Sequence, residues 1–194
     1  FSRVVLVALW FHVGNRIMVS EQLPPDDEVM AYLSHIGAIV SNWAELELMI
    51  DASIWRAARI EPEVGGCITA NLGSIHSKLK ALRALLEWNA VDEKLLKDFN
   101  KYQNAISGTA DKRNRVVHHP WFTLDDLDGN PLGQFVIRAN RNKREFSTPP
   151  VSLTELSNID AEIDRRHEQF EKLHERFASQ LPAFDGKQLL QPLA

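Results

Sequence analysis

The chain has 194 residues, of which 44% are hydrophobic and 25% charged, with a net charge of -4 and a pI near 6.0. That balance gives enough apolar surface for a sizeable core and excludes disorder over most of the length; it also excludes a generic polyanion binder, so any nucleic-acid contact must come from a local patch. The lone cysteine, Cys67, can form neither an internal disulfide nor a thiolate metal cluster, which fits a reducing cytoplasm.

In chain order, Val4 to Phe11 is the first apolar run and is too short to span a bilayer, so no membrane partner is expected. Arg3 precedes it as in a secretory leader. No small-x-small cleavage pattern follows, however, and Asn15 and Arg16 interrupt the run. Residues 1–17 are read as an upstream, non-native extension or as a short extra helix on the core, with Met18 the more natural start. Residues 18–182 are then expected to form one domain, with a loose tail over 183–194.

A first long helix is expected after Pro24 and Pro25, with Asp26 or Asp27 as its cap and an end near Arg59. Val29, Leu33, Ile36, Val40, Trp43, Ile50 and Ile54 step by threes and fours along it, and Pro62 with Gly65-Gly66 reads as its stop. Ile75, Leu79, Leu82 and Leu86 predict a second helix, capped by Ser74 or Asn71. A third begins near Asp92, carries the stripe Leu96, Phe99, Gln103, Ile106, Ala110, Arg113 and Val117, and ends before Pro120. The pattern then changes. Trp121 to Leu124 and Gln134 to Ala139, around Asp128-Gly129-Asn130-Pro131, read as a β-hairpin, with a further short strand after Asn140 to Lys143. Ser152 and Glu155 form a capping box for the last helix, whose apolar face is Leu156, Ile159, Ile163, Phe170, Phe177 and Leu181.

These elements predict an all-α protein. The expected arrangement is an antiparallel, up-down four-helix bundle with a small β-hairpin insert at 121–148, before the last long helix. That insert leaves the end of the third helix directly, beside Arg113-Asn114-Arg115-Val116-Val117-His118. An arginine on a core-facing stripe is costly unless a partner or ligand satisfies it, and its planar fork matches a phosphate. Asn114 and His118 are four apart and share a face, with Arg113 at its side. A phosphate-binding cation, a titratable imidazole and an orienting amide thus meet at one helix end.

This RNxxxH string, on the penultimate long helix of an all-helical chain, resembles the signature of HEPN domains. The resemblance covers roughly Asp26 to Leu181, with the hairpin as a variable insert, and includes the long first-helix segment Ile36 to Ile54. It implies cleavage of single-stranded RNA without a metal or other cofactor: the ribose 2′-hydroxyl attacks the adjacent phosphate and leaves a 2′,3′-cyclic phosphate. By the same resemblance His118 is the acid–base group, Arg113 the clamp on the phosphorane and Asn114 the positioner. One imidazole cannot serve both sides of an in-line displacement, so a homodimer with a composite site is expected. A toxin paired with an antitoxin protein, or a defence effector, is the implied role. The alternative is a non-catalytic HEPN-like module for dimerisation or nucleotide binding.

Other residues keep two readings. Glu47 either orients Arg113 or His118 across the bundle or lies at the edge of its stripe. His119 is a substrate contact or a helix-end cap, since adjacent helical residues point about 100° apart. Trp121 could stack on a base, though a core position suits it better. Lys112, Arg115, Arg138, Arg141, Lys143 and Arg144 group around the motif and hairpin as a candidate RNA-backbone track, or as a solvated tip. His167 and His174 lack the further ligands a metal would need, and Trp43, Trp55 and Trp88 read as packing.

Overall fold

A computed structural model describes residues 26–123, 132–134, 136–140, 143–147 and 149–181. The expectations for 1–17, for the 124–131 turn, for Arg141 and for the 183–194 tail lie outside the described residues. What is described is mostly helical, so the all-α class holds, and none of its helices is long and apolar enough to cross a membrane.

Helix α1 spans Asp26–Ala58, 33 residues or about 50 Å. Its buried seam is Tyr32, Ile39, Trp43, Leu46, Ile50, Ile54 and Ala57. In the N-terminal half this seam lies one residue off the expected stripe, which leaves Leu33 54% and Val40 39% exposed. Tyr32 sets that rotation. Its hydroxyl donates to the Val151 carbonyl at 2.8 Å, and its ring meets Trp121 edge-on at 6.4 Å.

The helix closes as a Schellman motif around Arg59, whose φ is 59°, with the Ile60 N–H bonded to the Trp55 carbonyl at 3.1 Å. The expected stop over Pro62 to Gly66 is instead a short helix, α2 (Pro62–Thr69), with the proline in its first turn. The glycine pair serves packing here. A Cβ on Gly65 would stand 2.4 Å from the Trp55 indole, so only glycine lets α2 lie this close. Trp88, read as a packing residue, is 70% exposed with Arg59 over its ring; Trp43 and Trp55 do pack.

Helix α3 (Ile75–Trp88) starts at Ser74, whose hydroxyl accepts from the Ser77 N–H, and buries Ile75, Leu79, Leu82 and Leu86 as expected. Its direction differs from strict up-down alternation. Lys78 meets Asp51, and Asn89 donates to the Ala57 carbonyl, so α3 advances in the same sense as α1. The return stroke is made by α2. A second Schellman turn at Ala90 (φ 55°) leads to α4 (Glu93–His118), capped by Asp92. Helix α5 (Leu153–Ala178) opens on the Ser152–Glu155 cap, with the hydroxyl accepting from the Glu155 N–H. It runs antiparallel to α4, as the pairs Asp98–Arg176 and Lys112–Glu162 show. It also runs alongside α1 in the same sense, through Asn42–Asp160 and Ser53–His174.

Between α4 and α5 lie two ladders rather than the one hairpin anticipated. β1 (Trp121–Thr123) pairs antiparallel with β2 (Leu132–Gln134), with Trp121 opposite Gln134. β3 (Val136–Asn140) pairs with β4 (Lys143–Ser147), the strand expected to be third. β2 is also tied to the approach of α5: the Gln134 N–H bonds the Pro149 carbonyl, and the Val151 N–H bonds the Leu132 carbonyl. The β1–β2 ladder is therefore anchored to the segment that leads into α5.

Candidate functional site

The C-terminus of α4 leaves carbonyls without helical partners, and Pro120 forbids a further turn. His119 is already extended, at φ -87° and ψ 135°, and its N–H closes back on the Arg115 carbonyl. Two side chains from the first ladder add bonds to these carbonyls. Trp121 Nε1 donates to the Val116 carbonyl at 2.9 Å, and the buried Gln134 donates through Nε2 to the Arg115 carbonyl at 3.0 Å. Trp121 is thus half-buried and engaged as a cap, in line with its core reading. No local pattern in the sequence marks Gln134 for this role, because its partner is set by how β2 meets the helix end.

The buried seam of α4 runs Leu95, Phe99, Tyr102, Ile106, Thr109, Ala110 and Val116. It is one residue off the expected stripe, so Val116 rather than Val117 faces the core. Arg113, four residues after Thr109 and three before Val116, stays on this seam as expected and is half-buried near the helix end. Its guanidinium carbon lies 5.8 Å from the centroid of the Trp43 ring, and Nη1 donates to the Asn114 side-chain carbonyl at 3.2 Å. Its Nε is buried with no hydrogen-bond partner. Asn114, Arg115 and His118 are exposed. His119 is half-buried, with its Nδ1 also buried and unpartnered. Arg113 and Asn114 are thus in contact, and His118 follows one turn on at the same exposed end.

Glu47 does not reach Arg113 directly. Its carboxylate accepts from Trp43 Nε1 at 2.8 Å and lies 3.7 Å from the Lys78 ammonium, which itself bonds Asp51 at 2.8 Å. Trp43 therefore stands between the acid and the arginine. The sequence marked Trp43 only as packing; its spacing of four from Glu47 is the one signal that could have linked the two.

The expected cationic track is split. Lys112 turns to α5 and bonds Glu162 at 2.6 Å. Glu162 also accepts from Thr109 at 2.7 Å and lies 3.6 Å from Arg166. Burial opposes ionisation of Glu162, but the bonds from Lys112 and Thr109 outweigh it and hold the carboxyl below its usual value. Arg138, Lys143 and Arg144 have their backbones in the β3–β4 ladder, with Arg138 opposite Glu145.

His174 is half-buried against Ser53 Oγ at 2.8 Å, and burial, with Arg56 nearby, lowers its pKa. His167 lies beside Asn42 and Asp164 in a shallow cleft. Among the described residues no group of three or more His, Cys, Asp or Glu side chains is arranged to hold a metal ion. Compared with known proteins, the chain matches no family model, no curated protein and no solved structure.

Proposed function

We propose that this chain is a metal-independent endoribonuclease of the HEPN type that cleaves single-stranded RNA as a homodimer. The observation that carries this reading is the Arg113 guanidinium, half-buried with Nε unpartnered and bonded to Asn114, one turn from the exposed His118. A cation so placed gains most from an anionic ligand that takes up its free donors. In the reaction His118 accepts the 2′-hydroxyl proton as the 2′-oxygen bonds to phosphorus. The 5′-oxygen then leaves, and the partner's His118 protonates it. Arg113 balances the charge that builds on the phosphorane, and Asn114 holds the guanidinium in place.

In this reading the four longer helices form the HEPN-like bundle and the ladders are its insert. α3 meets the C-terminal half of α1 through Asp51 and Ala57, and in the N-terminal half Met30, Leu33 and Val40 are exposed. That apolar face is the surface offered to the second copy. Arg115, the ladder residues Arg138, Lys143 and Arg144, and Arg141 close to them in sequence form the backbone track, which Lys112 does not join. A cytoplasmic toxin or defence effector, restrained by an antitoxin protein, is the role that fits such an activity. The second reading, a non-catalytic HEPN-like module, draws on one observation: the capture of Lys112 by Glu162 removes a cation from the motif.

The decisive experiment incubates the purified chain with mixed RNA in EDTA, beside His118→Ala and Arg113→Ala. Expected are 2′,3′-cyclic phosphate ends with the parent chain and intact RNA with both variants. Intact RNA from a folded parent dimer would sink the ribonuclease reading and leave the module. Cleavage abolished by EDTA would sink the metal-free mechanism, and a monomer that cleaves at full rate would sink the composite site.

A further inference from the structure

An open groove of about 350 Å³ runs between α4 and α5. Tyr102 and Leu173 are part of its wall, and both are buried. Four cationic side chains border it, Lys101 and Arg166 near Tyr102, with Lys172 and Arg176 further along α5, against the single carboxylate of Asp98. Asp98 accepts from Lys101 at 3.3 Å and from Arg176 at 3.0 Å, and so is already shared between two of them. Arg166 is held by Thr109, Gln169 and Glu162. Lys172 has no ion-pair partner among the described residues. In a chain of net charge -4, this groove is a local concentration of positive charge.

Beneath that rim lies a polar atom with nothing to bond. Tyr102 is only 4% exposed, and its hydroxyl is buried with no hydrogen-bond partner. Buried hydroxyls are nearly always paired, so an orphan in the wall of a cationic groove points to a ligand. Burial raises the Tyr102 pKa well above the usual phenol value, against the pull of Arg166, so the hydroxyl stays protonated and acts as a donor. It is covered as the groove stands. A ligand must therefore turn aside the side chains that cover it, and the long basic ones at the rim have flexible stems that permit movement.

We propose that this groove binds a small phosphate-bearing ligand, with the phosphate among Lys101, Arg166, Lys172 and Arg176 and bonded by the Tyr102 hydroxyl. The site is independent of the RNA motif: Tyr102 precedes Arg113 by about three turns of α4, roughly 16 Å. Phosphate is the chemistry that several donors of this kind satisfy at once. A groove of this volume suits a sugar phosphate or a diphosphate.

Calorimetric titration of the full chain with pyrophosphate, ribose 5-phosphate and ribose tests this. Both phosphates are expected to bind and ribose is not; tighter binding of ribose 5-phosphate marks a sugar phosphate as the ligand, and tighter binding of pyrophosphate a free diphosphate. Tyr102→Phe and Lys172→Gln should each weaken binding by about tenfold or more, the scale of a lost charge-assisted bond. Because the Tyr102 hydroxyl has no partner in the protein, Tyr102→Phe should keep or raise the melting temperature, so its loss of binding cannot be assigned to unfolding. Absence of binding by both phosphates at millimolar concentration, ribose binding as tightly as ribose 5-phosphate, or unchanged affinity in either variant would overturn the proposal.

Discussion

The Arg113 guanidinium lies over the indole of Trp43, 5.8 Å from the ring centroid, while the N–H of the same indole donates to Glu47 at 2.8 Å. One tryptophan thereby links the motif helix to the acidic side of α1. The platform suits the planar arginine fork better than a lysine ammonium, which keeps the charge but loses the stacking.

Arg113→Lys is therefore expected to lose RNA cleavage nearly as fully as Arg113→Ala, at a stability cost of only about 1 kcal/mol. His118 is exposed, so His118→Ala should leave stability within about 0.5 kcal/mol of the parent. Urea titrations run beside the cleavage assay check both. A His118→Ala protein that melted several kcal/mol early would contradict the exposed placement.

The glycine pair of α2 gives opposite outcomes for the same substitution. Gly65→Ala drives a methyl to 2.4 Å from Trp55 and should cost about 1–3 kcal/mol. A Cβ on Gly66 meets nothing within 4 Å, and Gly66→Ala should stabilise the helix by about 0.5–1 kcal/mol. Thermal melts of the two proteins decide the matter; equal shifts would mean that α2 does not pack against Trp55.

Lys78 and Asp51 form a largely buried pair, with side chains 11% and 15% exposed. Removing one partner strands the other, so Lys78→Ala should cost about 3 kcal/mol or more. Replacing both with apolar residues, Lys78→Met with Asp51→Leu, should recover most of that loss, because neither charge is then buried alone. A double-mutant cycle by chemical denaturation measures the coupling. Additive losses would show that the ion pair is not formed in solution.

His174 gives the fold a pH dependence. Burial and Arg56 hold its pKa below 6.5, so the folded state favours the neutral ring while the unfolded chain takes up a proton near that value. The stabilising contribution is present above pH 6.5 and is lost as pH falls through the lowered folded value. The melting temperature should drop between about pH 7 and 5, and His174→Gln, which can still bond Ser53, should flatten that drop. An identical slope in both proteins would remove His174 as its source.

The sequence by itself determined what repeats locally. The capping box at Ser152, the helix starts near Ser74 and Asp92, the break at Pro120 and the apolar faces of α3 and α5 were all legible, because each depends on neighbours a few residues away. The contiguity of Arg113, Asn114 and His118 was legible for the same reason. Tertiary structure decided which seam was buried. Tyr32 rather than Leu33, and Val116 rather than Val117, face inward, since a helix can rotate by one residue toward whatever it packs on. It also decided that Gly65 lies under Trp55 and that Glu47 meets Trp43 and Lys78. Gln134 capping the end of α4 and the orphaned Tyr102 hydroxyl belong with these. Such contacts join residues distant in the chain or depend on a helix's exact rotation, and local spacing carries no record of either.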